Sequence, residues 1–167
     1  MKKITLLLFF YSILSCGVKQ STNQLNSGNY DEAIHIAVNS LRNNKNAKGK
    51  QDYVYILEEA FAKAKERDLR NIDSWSKDAN PTNLEQIYNS YIQLNRRQEL
   101  IRPLLPLKLL KEGRDAIFPM DNYSTEIIDS KNALSNYLYT NSKNLLQTAN
   151  KIEARKVFDD LKYLNSI

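Results

Sequence analysis

Cys16 is the only thiol and His35 the only imidazole in the chain. A thiolate is among the strongest nucleophiles a protein offers, and Cys16, between the small residues Ser15 and Gly17, is the position best suited to forming a covalent bond. His35 falls inside an apolar helical pattern, which suits a structural imidazole better than a general base. The pairs Glu58-Glu59 and Asp159-Asp160 could each hold a cation weakly, but neighbours on a helix point about 100° apart and do not converge on one ion. A single cysteine rules out a cysteine-rich metal site, and no metal or other cofactor is expected. The sequence has no glycine-rich phosphate loop, GxSxG elbow or HExxH pair. Hydrolysis by a serine or carboxylate site assembled from distant residues is the lesser alternative to a non-catalytic role.

The residues before Cys16 explain its setting. Lys2 and Lys3 precede Ile4–Leu14, an uncharged run too short for a conventional membrane-spanning helix. A cationic start and a short apolar core are the order of a secretory signal. The segment ends in Leu14-Ser15-Cys16-Gly17, which resembles the processing box of a bacterial lipoprotein. That resemblance implies cleavage before Cys16 and attachment of a diacylglycerol to its sulfur as a thioether, with palmitate-type acyl chains. Each buried methylene contributes about 0.8 kcal/mol, so one chain holds marginally and several hold for long periods. The expected organisation is a signal over residues 1–15, a lipidated N-terminus and polar tether over 16–27, and a helical-repeat-like domain over 28–167.

Charge narrows the remaining partners. The chain carries 24 Lys and Arg against 19 Asp and Glu, a formal net charge of +5 that drops to +3 when Lys2 and Lys3 leave with the signal. The signs alternate in EEAFAKAKERD and KIEARKVFDDLK, the pattern of solvated helix faces, and no nucleic acid is expected as a partner. About 150 mature residues suffice for one domain with a useful core.

The body reads as helices. In GNYDEAIHIAVNSL, Gly28 suits a tight turn and Tyr30, Ala33, Ile34, Ala37 and Leu41 form one packed face. This segment resembles the turn and second helix of a tetratricopeptide repeat, whose first helix would overlap the processing site. A second helix is predicted from near Lys50 toward Arg67, facing inward through Tyr53, Leu57, Ala60 and Ala64. Beyond it, Ile72 and Trp75 either continue the helix or fold back as a packed segment, with Trp75 as a core plug. The Thr82–Glu85 spacing predicts a capping box for a third helix lined by Leu84, Ile87, Tyr88, Tyr91 and Leu94. Pro103 and Pro106 predict an irregular crossover over Ile101–Leu110. Asn122-Tyr123-Ser124 reads as a turn rather than a glycosylation acceptor. Ile127, Leu134, Leu138 and Leu145, then Ala154, Val157, Phe158 and Leu161, predict a final helical hairpin with Tyr137 and Tyr139 as further core candidates.

The middle section, NRRQELIRPLLPLKLL followed by EGRDAIFPMDNYS, resembles a family of tetratricopeptide-like lipoproteins of the Bacteroidetes group. The resemblance implies an anchored all-α fold, an irregular tetratricopeptide-like helical bundle or short solenoid, in the cell envelope and by preference at the outer membrane. It also implies packing by Leu104, Leu105 and Leu107 beside a polar seam of Arg96, Arg97 and Gln98. The function expected is that of a non-catalytic protein-interaction or assembly module, with a purely structural envelope role as the alternative. Besides membrane lipid at Cys16, the expected partner is a protein or peptide. Arg96 and Arg97 would bind its carboxylates, Gln98 would extend the seam, and Tyr88 and Tyr91 would supply amphipathic contacts.

Overall fold

The alanines of GNYDEAIHIAVNSL and all its aliphatic residues but Ile36 face one way when wound at 3.6 residues per turn, and the computed structural model shows that face buried: Ala33, Ile34, Ala37, Val38 and Leu41 are all inside. The structure describes residues 17–78, 80–148 and 150–167. Their helices are α1 (residues 17–26), α2 (Tyr30–Arg42), α3 (Gln51–Asp78), α4 (Leu84–Ile101), α5 (Ser124–Gln147) and α6 (Lys151–Ser166). The strands among them are β1 (Lys108–Leu109) and β2 (Arg114–Asp115), an antiparallel pair. The fold class is therefore all-α. The chain divides into two compact units, the first built from the residues up to Arg67 with Arg96–Met120, the second from Asp68–Asn95 with Asp121–Ile167.

In the first unit, the stretch expected as a polar tether is helical from Gly17. Few apolar residues mark α1 in the sequence, because it is held by Leu25 and by a hydroxyl: buried Ser21 Oγ donates to the Ala33 carbonyl at 3.2 Å. Gly28 has φ +81°, and the Gly28 N–H bonds to Leu25 O while the Asn29 N–H bonds to Gln24 O. These two bonds make the C-terminal cap that a left-handed glycine permits. Asp31 and Glu32 in the first turn of α2 and Arg42 in its last turn match the helix dipole.

The proline segment leaves the helix as expected, and Leu104 and Leu107 pack into the core with Leu105 at its edge. The short hairpin that follows is a feature the aliphatic run did not suggest. It is fastened to α3 by side chains: Arg114 grips both Glu58 oxygens at 2.7 and 3.0 Å, the Ile117 N–H donates to Glu58 Oε1 at 2.6 Å, and the Leu110 N–H donates to Gln51 Oε1 at 2.8 Å. Phe118 meets Phe61 edge-on at 5.6 Å.

The second unit decides one open reading and corrects others. Of the two courses open beyond Arg67, the helix continues: α3 runs to Asp78, since nothing in the intervening sequence breaks a helix before Asn80-Pro81. Trp75 lies within α3 and is only half-buried. The residue that caps the next element is Asn80, whose Oδ1 accepts from the Thr82 N–H at 3.0 Å and the Thr82 hydroxyl at 2.8 Å, so Thr82 serves as donor to a cap rather than as the cap. Asn122 and Asn150 act likewise, Asn122 accepting from the Ser124 N–H and Asn150 from the Glu153 N–H.

The hairpin of α5 and α6 forms as expected, with Leu134, Ala154, Val157, Leu161 and Leu164 buried. Phe158 and Tyr139, expected in the core, are 53% and 51% exposed. The α6 stripe at 154, 157, 161 and 164 leaves Phe158 on its flank. In α5 the buried face uses Ser130 and Ser142, whose hydroxyls bond back to the carbonyls of Glu126 and Tyr139 and so need no partner elsewhere.

Candidate functional site

Three helices of the second unit enclose a cleft of about 230 Å³. α4 contributes Glu85, Tyr88 and Asn89, α5 contributes Leu134 and Leu138, and α6 contributes Asp160, Tyr163 and Leu164, with Ile167 following. The i, i+4 spacing of Leu134 and Leu138, and of Asp160 and Leu164, sets each pair on one helical face. Tyr88, Leu134 and Leu164 are buried and pack together as the floor. Glu85, Asn89 and Asp160 are exposed at the rim, and Tyr163, 68% exposed, and Ile167 complete it.

Such a lining has a definite chemistry. Apolar carbon below takes up an alkyl chain, and two carboxylates above favour a cationic end group, with phenol rings able to lie against it. The volume is below the 300–1,000 Å³ usual for cofactor and drug-sized ligands and suits one or two amino-acid side chains. Among the described residues lining the cleft there is no imidazole, thiol, serine or threonine. Among the described residues generally, no group of three or more His, Cys, Asp and Glu is placed to hold a metal ion.

The five residues expected to contact a partner fall in two units and differ in burial. Tyr88 is buried in the cleft floor. Tyr91 is half-buried with its ring 6.1 Å from that of Tyr123, and burial followed by the charge of Glu126 pushes its hydroxyl pKa up. Arg96 is exposed, as a contact residue should be. Arg97 and Gln98, assigned to the same seam, are instead buried at 5% and 2% exposure in the first unit. The reason is the position of the buried arc: Leu94, Arg97, Gln98 and Ile101 recur at i, i+3, i+4 and i+7 on the covered face of α4, which leaves Arg96 outside it. Arg97 Nε meets Asp31 Oδ1 at 2.5 Å, and Arg97 and Arg67 each reach Asp31 Oδ2 at 3.2 Å. Partial burial pushes the Asp31 carboxyl up, but Arg97 and then Arg67 outweigh it and hold it below its ordinary value.

Cys16 lies outside the described residues. His35, expected within the packed face, is exposed on α2 with its ring beside the Asn39 amide. Glu58, read from the sequence as one of a divergent acidic pair, is the anchor of the hairpin: Arg114, with the Ile117 N–H and against the push of partial burial, holds its carboxyl below the usual range. The cleft itself escapes sequence reading because Glu85 reads as half of a capping box and Asp160 as one of a divergent acidic pair. Only their neighbours across helices give them a role. Comparison with protein-family models, curated proteins and solved structures finds no match for the chain.

Proposed function

We propose that this chain is a lipid-anchored cell-envelope protein, related to the tetratricopeptide-like lipoproteins, whose helical body binds a protein partner through the cleft of its second unit. The occupant is a peptide segment that presents a lysine or arginine beside an apolar side chain. The observation that carries this reading is the pairing of an apolar floor, Tyr88, Leu134 and Leu164, with the rim carboxylates Glu85 and Asp160. This reverses the polarity expected from Arg96 and Arg97: the partner is basic where it meets the cleft.

Anchoring at Cys16 rests on the order of charge, apolar run and small-residue box at the N-terminus. No helix among the described residues is long and apolar enough to cross a membrane, and a covalent lipid supplies the attachment in this reading. An outer-membrane address is the part contributed by the family resemblance.

The test uses the acylated chain in detergent and two labelled probe peptides of equal length, one alternating Leu and Lys, the other Leu and Glu. The Leu-Lys peptide should bind and the Leu-Glu peptide should not. A photo-crosslinking residue at Asn89 should capture the bound peptide, and Glu85→Lys with Asp160→Lys should abolish capture. Equal binding of both peptides, or binding indifferent to the double reversal, would remove the cleft from the function.

A further inference from the structure

The first described residue of the first unit, Gly17, is already helical. α1 is helical from Gly17, the residue immediately after Cys16, and no flexible spacer separates that residue from the folded body. Gly17 is also pressed against α3, because a Cβ there would collide with the Tyr53 hydroxyl. Tyr53 is buried in the first turn of α3. The start of the body is thus fixed at the N-terminal end of that helix.

That end is basic. Lys48 and Lys50 belong to the single 3-10 turn leading into α3, and Lys50 Nζ stands 5.2 Å from the centre of the Tyr53 ring. Beside them a shallow cleft of about 410 Å³ is lined by Lys48, Gln51, Asp52, Leu110 and Lys111. Leu110 is 48% exposed, and the Gln51 bond to its backbone N–H fixes the tip of the β hairpin against α3. Asp52 is the one carboxylate lining this cleft, against Lys48 and Lys111.

We propose that this face, made of Lys48, Lys50, Lys111 and Leu110, lies directly on anionic lipid headgroups, with Leu110 entering the interface. The proposal rests on the lipid attachment at Cys16 and adds an orientation to it: the body is held against the bilayer rather than standing off on a tether. Two features favour lipid as the occupant. The acylated residue is covalently next to Gly17, Gly17 abuts Tyr53, and Lys50 stands over the Tyr53 ring, so this basic end of α3 is carried toward the headgroups, where charge acts over about 8 Å at physiological salt. Basic side chains beside an exposed aliphatic one match an anionic interface, where an acyl anchor and a polybasic patch act together. Each lysine near such a surface strengthens the contact about fivefold, so three together amount to roughly a hundredfold.

The experiment uses the full acylated chain carrying Leu110→Cys, labelled with a polarity-sensitive dye. Cys16 is consumed as a thioether, which makes the introduced thiol the only reactive one. The protein is reconstituted in phosphatidylcholine vesicles with and without phosphatidylglycerol. A blue shift confined to the phosphatidylglycerol vesicles is expected, with its loss on high salt and in Lys48→Gln/Lys50→Gln/Lys111→Gln. Intact mass on the same sample separates the two readings: absence of acyl mass at Cys16 defeats the anchoring itself, whereas acylated protein with a solvent-like dye in both vesicles overturns the docking face alone. A shift produced by inorganic phosphate in detergent would assign the lysines to a soluble anion and also overturn it. The triple glutamine variant changes only residues with solvent access, and unchanged helical circular dichroism will verify that it is folded.

Discussion

Asp31 and Arg97 are separated by 66 residues and joined at 2.5 Å. Asp31 opens α2 and Arg97 lies near the end of α4, so their bond ties the two chain segments of the first unit together. Arg67 reaches the same carboxylate while its guanidinium lies 5.5 Å from the Tyr30 ring. One exposed acid therefore organises a buried arginine, a half-buried arginine and the aromatic ring of the GNYDEA turn.

Asp31→Asn should cost about 1–2 kcal/mol, less than the 3–5 kcal/mol typical of breaking a fully buried pair because the Asp31 side chain is half in solvent. The asparagine keeps the shape and removes only the charge. Urea denaturation of the two proteins measures the difference; equal midpoints would mean that the bond is structural decoration.

The pH dependence follows from the same group and from Glu58. Both carboxyls are held below their ordinary values in the folded chain. A depressed folded pKa contributes stability that is fully present above the unfolded value, about 4, and is lost as the pH falls through the folded value. Stability should therefore be level from neutral pH down to about 5 and decline below 4. In Asp31→Asn/Glu58→Gln the decline should be shallower, as read by thermal melts across the acid range.

The helical faces were legible because each depends on residues within a few turns. The α2 stripe, the α3 positions Tyr53, Leu57, Ala60 and Ala64, and the final hairpin needed only a 3.6-residue period. What escaped detection depends on residues far apart. Arg97 reads as a surface cation until Asp31 is beside it, and nothing in EGRDAIFPM announces a hairpin until Glu58 grips Arg114. α1 has the sequence of a tether because its packing depends on a serine bonded to the Ala33 carbonyl, a contact with no hydrophobic signature. The candidate cleft is half visible in the sequence: Tyr88, Leu134 and Leu138 read as helix-face residues, while Glu85 reads as half of a capping box and Asp160 as one of a divergent acidic pair, and nothing local sets the two acids on one rim.

The collision at Gly17 gives a test of how the chain enters the body. Gly17→Val should cost about 1–3 kcal/mol, the usual range for forcing extra carbon into a packed site. The clash is with one atom, the Tyr53 hydroxyl, so Tyr53→Phe should recover much of the loss when combined with Gly17→Val. A double-mutant cycle on thermal stability measures this coupling. If the two changes simply add, Gly17 and Tyr53 are not in contact.

The hairpin gives another. Glu58→Ala removes both Arg114 bonds and the Ile117 bond at once, while the Leu110 bond to Gln51 and the Phe61–Phe118 contact remain. The hairpin should loosen locally, with faster amide exchange over 108–117 and a global loss of about 1–2 kcal/mol. Unchanged exchange at Ile117, whose N–H bonds directly to Glu58, would contradict the clamp.

The floor and rim of the second unit's cleft should separate stability from binding. Leu134 is buried among Tyr88 and Leu164, so Leu134→Ala should cost about 2–4 kcal/mol whether or not any peptide is present. Leu138 lines the same cleft but is only half-buried, so Leu138→Asp should be tolerated better than Leu134→Asp, which places a charge in the core. Glu85 and Asp160 are exposed, and reversing either to lysine should move stability by no more than about 0.5 kcal/mol. Their effect should appear only in peptide affinity: the double reversal should abolish binding of the Leu-Lys probe while the melting temperature stays within a few degrees of the parent. Calorimetric titration beside a thermal melt reads both quantities on one sample. Loss of the melt together with loss of binding would place Glu85 and Asp160 among the residues that hold the three helices together, and would withdraw them from recognition.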